Sequence, residues 1–306
     1  MSVGLRSRHV GLLLAAIALL ALGGCAAKAL PEARYLPAGD LLDIVKDFQR
    51  LARDDLYRFP IPKDPTGVNV MKATLIRLQD YEKKHAGQYA DIVHFTKAMA
   101  YERLREYDQA IAHYRAAAKS DARLGAEAGR NIEALEAFQH ILQKPLSGED
   151  PFAYIKGLDE KVDAWNAIIH KYQRTAYEYF ARVEEEKIDR AKVAFMELNR
   201  YRMKDGNQLV ILGYSQLITK HRESKNLHRY LLDFGDFYAR LVREYVLQND
   251  PEGLTFDIET FGQFAKSALK LYTEVAQVDG IMEKIEAEGK IEAMRGLTEK
   301  MRRLNR

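Results

Sequence analysis

The chain has 306 residues, with 47 Lys plus Arg against 44 Asp plus Glu, a formal net charge of +3 and a single cysteine, Cys25. That length supports one large or two smaller domains with a substantial core. The near-neutral balance supplies no basic stripe of the kind nucleic acid requires. A lone cysteine excludes an intramolecular disulfide and a metal site built on several thiolates.

The first residues carry an export signature. Arg6 and Arg8 precede an apolar run from Gly11 to Leu22, which closes on Leu22-Gly23-Gly24-Cys25. A positive start, a short apolar core and small residues before a cut define a secretory signal. The run is shorter than the roughly 20 residues of a comfortable spanning helix. Its end resembles the lipobox of bacterial lipoproteins: an aliphatic residue, two small residues, then Cys. The resemblance implies a signal peptide over 1–24, cleavage after Gly24, a diacylglyceryl thioether on Cys25 and an acyl chain such as palmitate on the new amino terminus. Ala26, where Asp would favour inner-membrane retention, implies the outer membrane, facing the periplasm. The competing reading is an ordinary signal, or an anchor helix with an incidental cysteine.

Residues 25–39 read as a lipidated tether, with Pro31 and Pro37 opposing helix formation. Asp40 is the expected cap of the first helix, whose stripe is Leu41, Leu42, Val45, Phe48, Leu51 and Ala52. Pro60, Pro62, Pro65 and Gly67 mark a loop. Met71, Leu75, Leu78 and Tyr81 continue at helical spacing, and a turn follows at His85-Ala86-Gly87-Gln88. Next come faces at Ile92, Phe95, Ala98, Met99 and Leu104, then at Ala110, Ile111, Tyr114 and Ala117. A tight turn at Arg105-Glu106-Tyr107-Asp108 separates these two. Leu124, Ala128, Ile132, Leu135 and Phe138 form a fourth face. The predicted class is all-α.

Ala98, Tyr101, Tyr107, Ala110, Tyr114 and Ala117 resemble the signature of a tetratricopeptide repeat, a 34-residue antiparallel helix pair. The resemblance implies close helix approach at the alanines, with tyrosines filling the space around it. Lys97 departs from the pattern, standing where Leu is usual, and so does Ala122, where Pro is frequent. One such unit leaves an apolar face for its neighbours to cover. The expected architecture is therefore a TPR-like α-solenoid of antiparallel helix pairs with a C-terminal helical extension. A TPR-like helical domain is expected over 40–145, a second, degenerate repeat region over 152–249 and C-terminal helices over 250–306. Lys144–Pro151 is the predicted break between halves.

In the second half, Val162, Trp165, Ile168, Ile169 and Tyr172 open a helix predicted to run through Phe180. Ile188, Ala191, Phe195 and Leu198 repeat the spacing of the earlier signature. Asp205-Gly206-Asn207 is a turn, and Asp250-Pro251-Glu252-Gly253 ends the helix that begins near Leu227. The last helix carries Ile285, Ile291, Met294, Leu297 and Met301, and ends in a basic cluster at Lys300, Arg302, Arg303 and Arg306.

No catalytic, cofactor-binding or metal-binding residue is predicted. The histidines show no tight ligand spacing, and the Ser224–Asn226 turn would separate His221 from His228. Glu184-Glu185-Glu186 point in different directions on a helix, so a solvated face is expected there. The expected role is non-enzymatic: a lipid-anchored periplasmic scaffold binding envelope proteins or extended peptides, with no nucleic acid and no cofactor, and with a homodimer through the last helix as an open alternative. Tyr214-x-x-Leu217-Ile218 with His221 and Ser224, and the Tyr81, Gly87, Tyr89-Ala90 turn before Ala98, are similar to the TPR lipoproteins of the outer-membrane β-barrel assembly machine. That resemblance implies a role in outer-membrane protein assembly. The alternative class is a glycan- or peptidoglycan-active enzyme with a helical adaptor, which would need two convergent carboxylates.

Overall fold

The computed structural model describes residues 36–56, 68–120, 122–146 and 150–305. The signal, Cys25 and the Pro60–Gly67 loop lie outside the described residues. Among the described residues there are eleven α-helices, one 3-10 turn at Arg200–Arg202 and no strand. None of these helices is long and apolar enough to cross a membrane. The chain divides into two compact units, Met1–Ile132 and Glu133–Arg306.

The first unit holds α1 (Leu36–Leu56), α2 (Val68–Lys84), α3 (Ala90–Arg103), α4 (Tyr107–Ser120) and the start of α5 (Ala122–Gln143). Helix α1 begins before Asp40, the expected cap. Pro37 falls in its first turn, where a missing N–H leaves no hydrogen bond unmade. Asp40 instead accepts hydrogen bonds from Lys84 Nζ at 2.6 Å and His85 Nε2 at 2.9 Å, tying α1 to the end of α2. Leu41, Ile44, Phe48 and Ala52 are buried at helical spacing. They pack with Leu75, Leu78 and Tyr81 of α2 and with Val93 and Ala100 of α3. Leu42 belongs to the predicted stripe but faces outward.

Helices α3 and α4 form a closely packed hairpin. Arg105 turns the chain with φ 64°, and Glu106 N–H donates to the Tyr101 carbonyl at 2.9 Å. Ala98, Ala110 and Ala117 have no exposed surface, and neither does Tyr114. A methyl side chain is what lets two helix backbones approach this closely.

The second unit contains the rest of α5, then α6 (Pro151–Lys171), α7 (Ala176–Asn199), α8 (Gly206–Lys220), α9 (Leu227–Gln248), α10 (Ile258–Ala276) and α11 (Glu283–Leu304). The division into units falls inside α5 rather than at the Lys144–Pro151 break. The reason is packing: Phe138 of α5 meets Trp165 of α6 edge-on at 4.9 Å. The Lys144–Pro151 break ends α5 and starts α6, where Asp150 accepts from Ala153 N–H and Pro151 occupies the first turn.

The long helix predicted through Phe180 is two helices. Arg174 adopts φ 63°, and Thr175 caps α7 by accepting from Tyr177 N–H. The degenerate repeat spacing is also corrected. Ala191 and Leu198 face outward, and the buried line of α7 is Ala181, Glu184, Glu185, Asp189, Val193 and Met196. Apolar spacing misreads this helix because carboxylates occupy core-facing positions. Ile285 of α11 is likewise exposed.

Two glycines permit close approaches. A Cβ on Gly206 would lie 1.9 Å from the Arg200 carbonyl oxygen, so only glycine fits after the 3-10 turn. A Cβ on Gly235 of α9 would lie 2.5 Å from the Tyr272 ring of α10. The packing repeats a simple rule. Residues of α9 close over α7 and α8, and residues of α11 close over α9 and α10. This arrangement is solenoid-like within the unit.

Candidate functional site

Of the residues singled out by sequence, Cys25 lies outside the described residues. The six repeat-signature residues come together on the α3–α4 hairpin: Ala98, Tyr107, Ala110, Tyr114 and Ala117 are buried, and Tyr101 is half-buried. Tyr114 donates from its hydroxyl to Glu102 at 2.8 Å, and Phe95 meets its ring edge-on at 5.1 Å.

The departure at Lys97 has a physical explanation. Lys97 is buried, and its ammonium pairs with Glu82 of α2. Close by, His94 and His113 place their Nδ1 atoms 3.0 Å apart, so one ring donates and the other accepts. Tyr101 stacks on His113 at 5.3 Å. Burial, then the neighbouring His94 and Lys97, push His113 down to about 4. A base whose folded pKa is depressed binds its proton more readily when unfolded, so stability is complete above about pH 6.5 and falls as pH drops toward 4. His113→Asn is expected to flatten that limb of the stability–pH curve. Chemical denaturation at several pH values would check it, and an unchanged slope between pH 6.5 and 4 would contradict the assignment.

The second unit holds a polar cluster that sequence reasoning missed. Glu185, Glu186 and Asp189 of α7 grip the turn between α8 and α9. Glu186 Oε1 accepts from Asn226 Nδ2 at 3.0 Å, from the Tyr230 hydroxyl at 2.6 Å and from Ser224 Oγ. Asp189 Oδ2 accepts from Lys220 Nζ at 2.7 Å and His221 Nε2 at 2.9 Å. Lys220 Nζ also lies 2.7 Å from Glu185 Oε1, as an ion-pair contact rather than an aligned hydrogen bond.

Burial by itself would raise both Glu186 and Asp189, but these donors outweigh it and hold each carboxyl below its ordinary range. Lys220 is raised for the matching reason: its two carboxylate partners overcome its burial. The expectation of a solvated Glu184–Glu186 face is therefore corrected. Glu184 and Glu185 are only 5% and 4% exposed. The three do diverge, and each finds its own cation or hydroxyl. The turn at Ser224–Asn226 does separate His221 from His228.

Beside this cluster a cavity of about 500 Å³ opens between α6, α7 and α8. Val162, Val193 and Leu217 supply its apolar surface, and Asp189, Lys192 and Lys220 its charged edge. Lys192 Nζ reaches Asp159 of α6 at 2.7 Å. The charges on this edge are paired with one another or with neighbouring carboxylates. A larger groove of about 910 Å³ runs along α10 beside α11.

Among the described residues, no group of three or more His, Cys, Asp or Glu side chains is placed to hold a metal ion. No family model matches the chain, and no curated protein matches it.

The signal that could have pointed to the cluster was the run Glu185-Glu186-x-x-Asp189 inside an otherwise amphipathic helix. The partners lie 31 to 44 residues away, beyond any short motif.

Proposed function

We propose that this protein is a lipid-anchored periplasmic scaffold at the outer membrane, built on TPR-like helix pairs and binding envelope polypeptides without transforming them. The observation that carries the reading is the α3–α4 hairpin, closed on fully buried Ala98, Ala110 and Ala117 with Tyr114 beside them. Helix-pair arrays of this kind present extended surfaces for peptides and protein segments. The α6–α8 cavity, with apolar side chains and a charged edge, supports the same reading. The lipobox at Leu22–Cys25 supports the anchor. Outer-membrane protein assembly is the pathway that the sequence resemblance favours.

Acyl chains contribute about 0.8 kcal/mol per buried CH₂, and more than one chain is needed for stable anchoring. Cys25→Ser is therefore expected to move the protein from the membrane to the soluble fraction. Fractionation of cells expressing either form checks this, and equal membrane retention of the two would overturn the anchor. A photo-crosslinker at Gln216, on the α6–α8 cavity, tests the scaffold. Defined adducts to envelope proteins are expected in intact cells. Turnover of glycan or peptidoglycan by the purified chain would replace the scaffold with the enzyme reading.

A further inference from the structure

We propose that the groove along α10 and α11 is a docking site for an amphipathic helix with an acidic flank, supplied by a partner polypeptide. The proposal shares with the scaffold reading only the idea that the chain binds polypeptides, and it does not depend on the anchor.

The packing rule of the second unit defines the vacancy. Helices α7 and α8 are covered by α9, whose Tyr230, Phe234, Phe237 and Leu241 pack on Val193, Met196 and Tyr214. Helices α9 and α10 are covered by α11 through Ala287, Ile291, Met294 and Met301. Helix α9 covers one side of the α10–α11 pair, and the groove opens along α10 beside α11. Its groove has a volume of about 910 Å³, with Ile258, Gly262, Ala265 and Leu269 along α10 and with Thr298 and Arg302 of α11 at its side. Ile258 is 37% exposed, and Leu269 is half-buried. A groove between two packed helices accepts a third through apolar residues at three- and four-residue spacing.

Charge selects the occupant. Lys266, Lys270 and Arg302 line the groove, and none forms an ion pair with a described residue. Lys266 and Lys270 stand four apart on one helix, a spacing at which like charges repel. Elsewhere the chain fills that spacing with opposite charges: Arg182 with Glu178, Arg229 with Asp233 and Lys290 with Glu286. Glu259 and Glu274 also line the groove, toward the two ends of α10, with Lys266 and Lys270 between them and Glu274 four residues after Lys270. Arg303, next to Arg302, is held by Glu299 and does not contribute. The basic cluster at the C-terminus thus divides: Arg303 serves the helix surface, and Arg302 faces the groove. A helix with carboxylates flanking its apolar stripe would pair with these three cations. A basic or neutral helix would leave them uncompensated beside apolar surface.

Helix α10 has 19 residues, so a matching partner segment is about 16 residues, or ~24 Å at 1.5 Å per residue. The test is fluorescence anisotropy with the full chain and a labelled peptide of that length, with Leu at three- and four-residue spacing and Glu on the flanks. Two control peptides carry Lys in place of Glu, or the same residues in scrambled order. The acidic amphipathic peptide is expected to bind more tightly than either control, and more weakly as salt rises.

Lys266→Glu/Lys270→Glu is expected to raise its Kd at least about tenfold. Lys266→Gln/Lys270→Gln should give a smaller loss, with helix content by circular dichroism unchanged in both. Equal binding of all three peptides, no binding of any, or indifference to the double substitutions would overturn the proposal. So would sedimentation showing a dimer that Lys266→Glu/Lys270→Glu abolishes, since a second copy would then occupy the groove. Failure here leaves the Gln216 crosslinking result standing on its own, so the scaffold reading and this site fail separately.

Discussion

Trp165→Ala is expected to destabilise the second unit by about 3–5 kcal/mol, the range for removing a large aromatic side chain from a packed core. Trp165 has no exposed surface and meets Phe138 edge-on, and Phe138 meets Tyr177 in the same way. The void would sit where α5, α6 and α7 converge, and helices whose other contacts hold them apart cannot close it. A fall in Tm on the order of 10 °C follows from the size of the unit. Trp165→Phe should cost much less. It keeps most of the ring volume and removes an indole N–H that finds no hydrogen-bond partner among the described residues. A buried donor left unmade already costs about 1–3 kcal/mol. Thermal unfolding followed by circular dichroism separates the two variants. Equal losses would mean that cavity formation does not dominate at this position.

Glu186→Ala is expected to cost about 2–4 kcal/mol, because one carboxylate oxygen serves three donors. Its removal strands the Tyr230 hydroxyl, on a side chain only 2% exposed, together with Ser224 and Asn226. The Ser224–Asn226 turn should lose amide-exchange protection before the rest of α9 does. Glu186→Gln keeps an acceptor oxygen but loses the charge, so it should fall between wild type and alanine.

The pH dependence follows from the same contacts. Glu186 and Asp189 have folded pKa values below their ordinary ones. Their contribution is complete above the unfolded values and is lost as pH falls through the folded ones, so the loss begins as pH enters the ordinary carboxylate range and is complete only below it. The acid limb of the stability curve should be shallower in Glu186→Ala than in wild type. Trp165 is the only tryptophan, so its fluorescence reports unfolding of this unit in both proteins. An unchanged acid limb would mean that Glu186 carries no charge-dependent stability.

Much of the helical order was legible from local chemistry. Turns at Gly87, Arg105, Asp205 and Asp250 stand where small, polar or Pro-containing stretches interrupt apolar spacing. The burial of Ala98, Ala110 and Ala117 on the α3–α4 hairpin was legible because small residues recur there at helical spacing. The break at Tyr172–Thr175 was not. Its sequence keeps apolar and aromatic residues on both sides, and the turn depends on a left-handed Arg174 and on Thr175 as a cap. Helix α7 was misread on its buried face, because apolar periodicity assigns Glu185 and Asp189 to solvent. Their burial depends on Lys220 and His221, which only folding brings within reach.

The amino-acid sequence by itself determined the helical class, most helix boundaries and the α3–α4 hairpin. These depend on neighbours within a few turns of chain, where propensity, spacing and turn chemistry act directly. Tertiary structure decided which carboxylates are buried, why a lysine sits at position 97, and which lysines along α10 pair with no described residue. Those outcomes depend on partners tens of residues away, because burying a charge is tolerable only where the fold delivers its counter-charge.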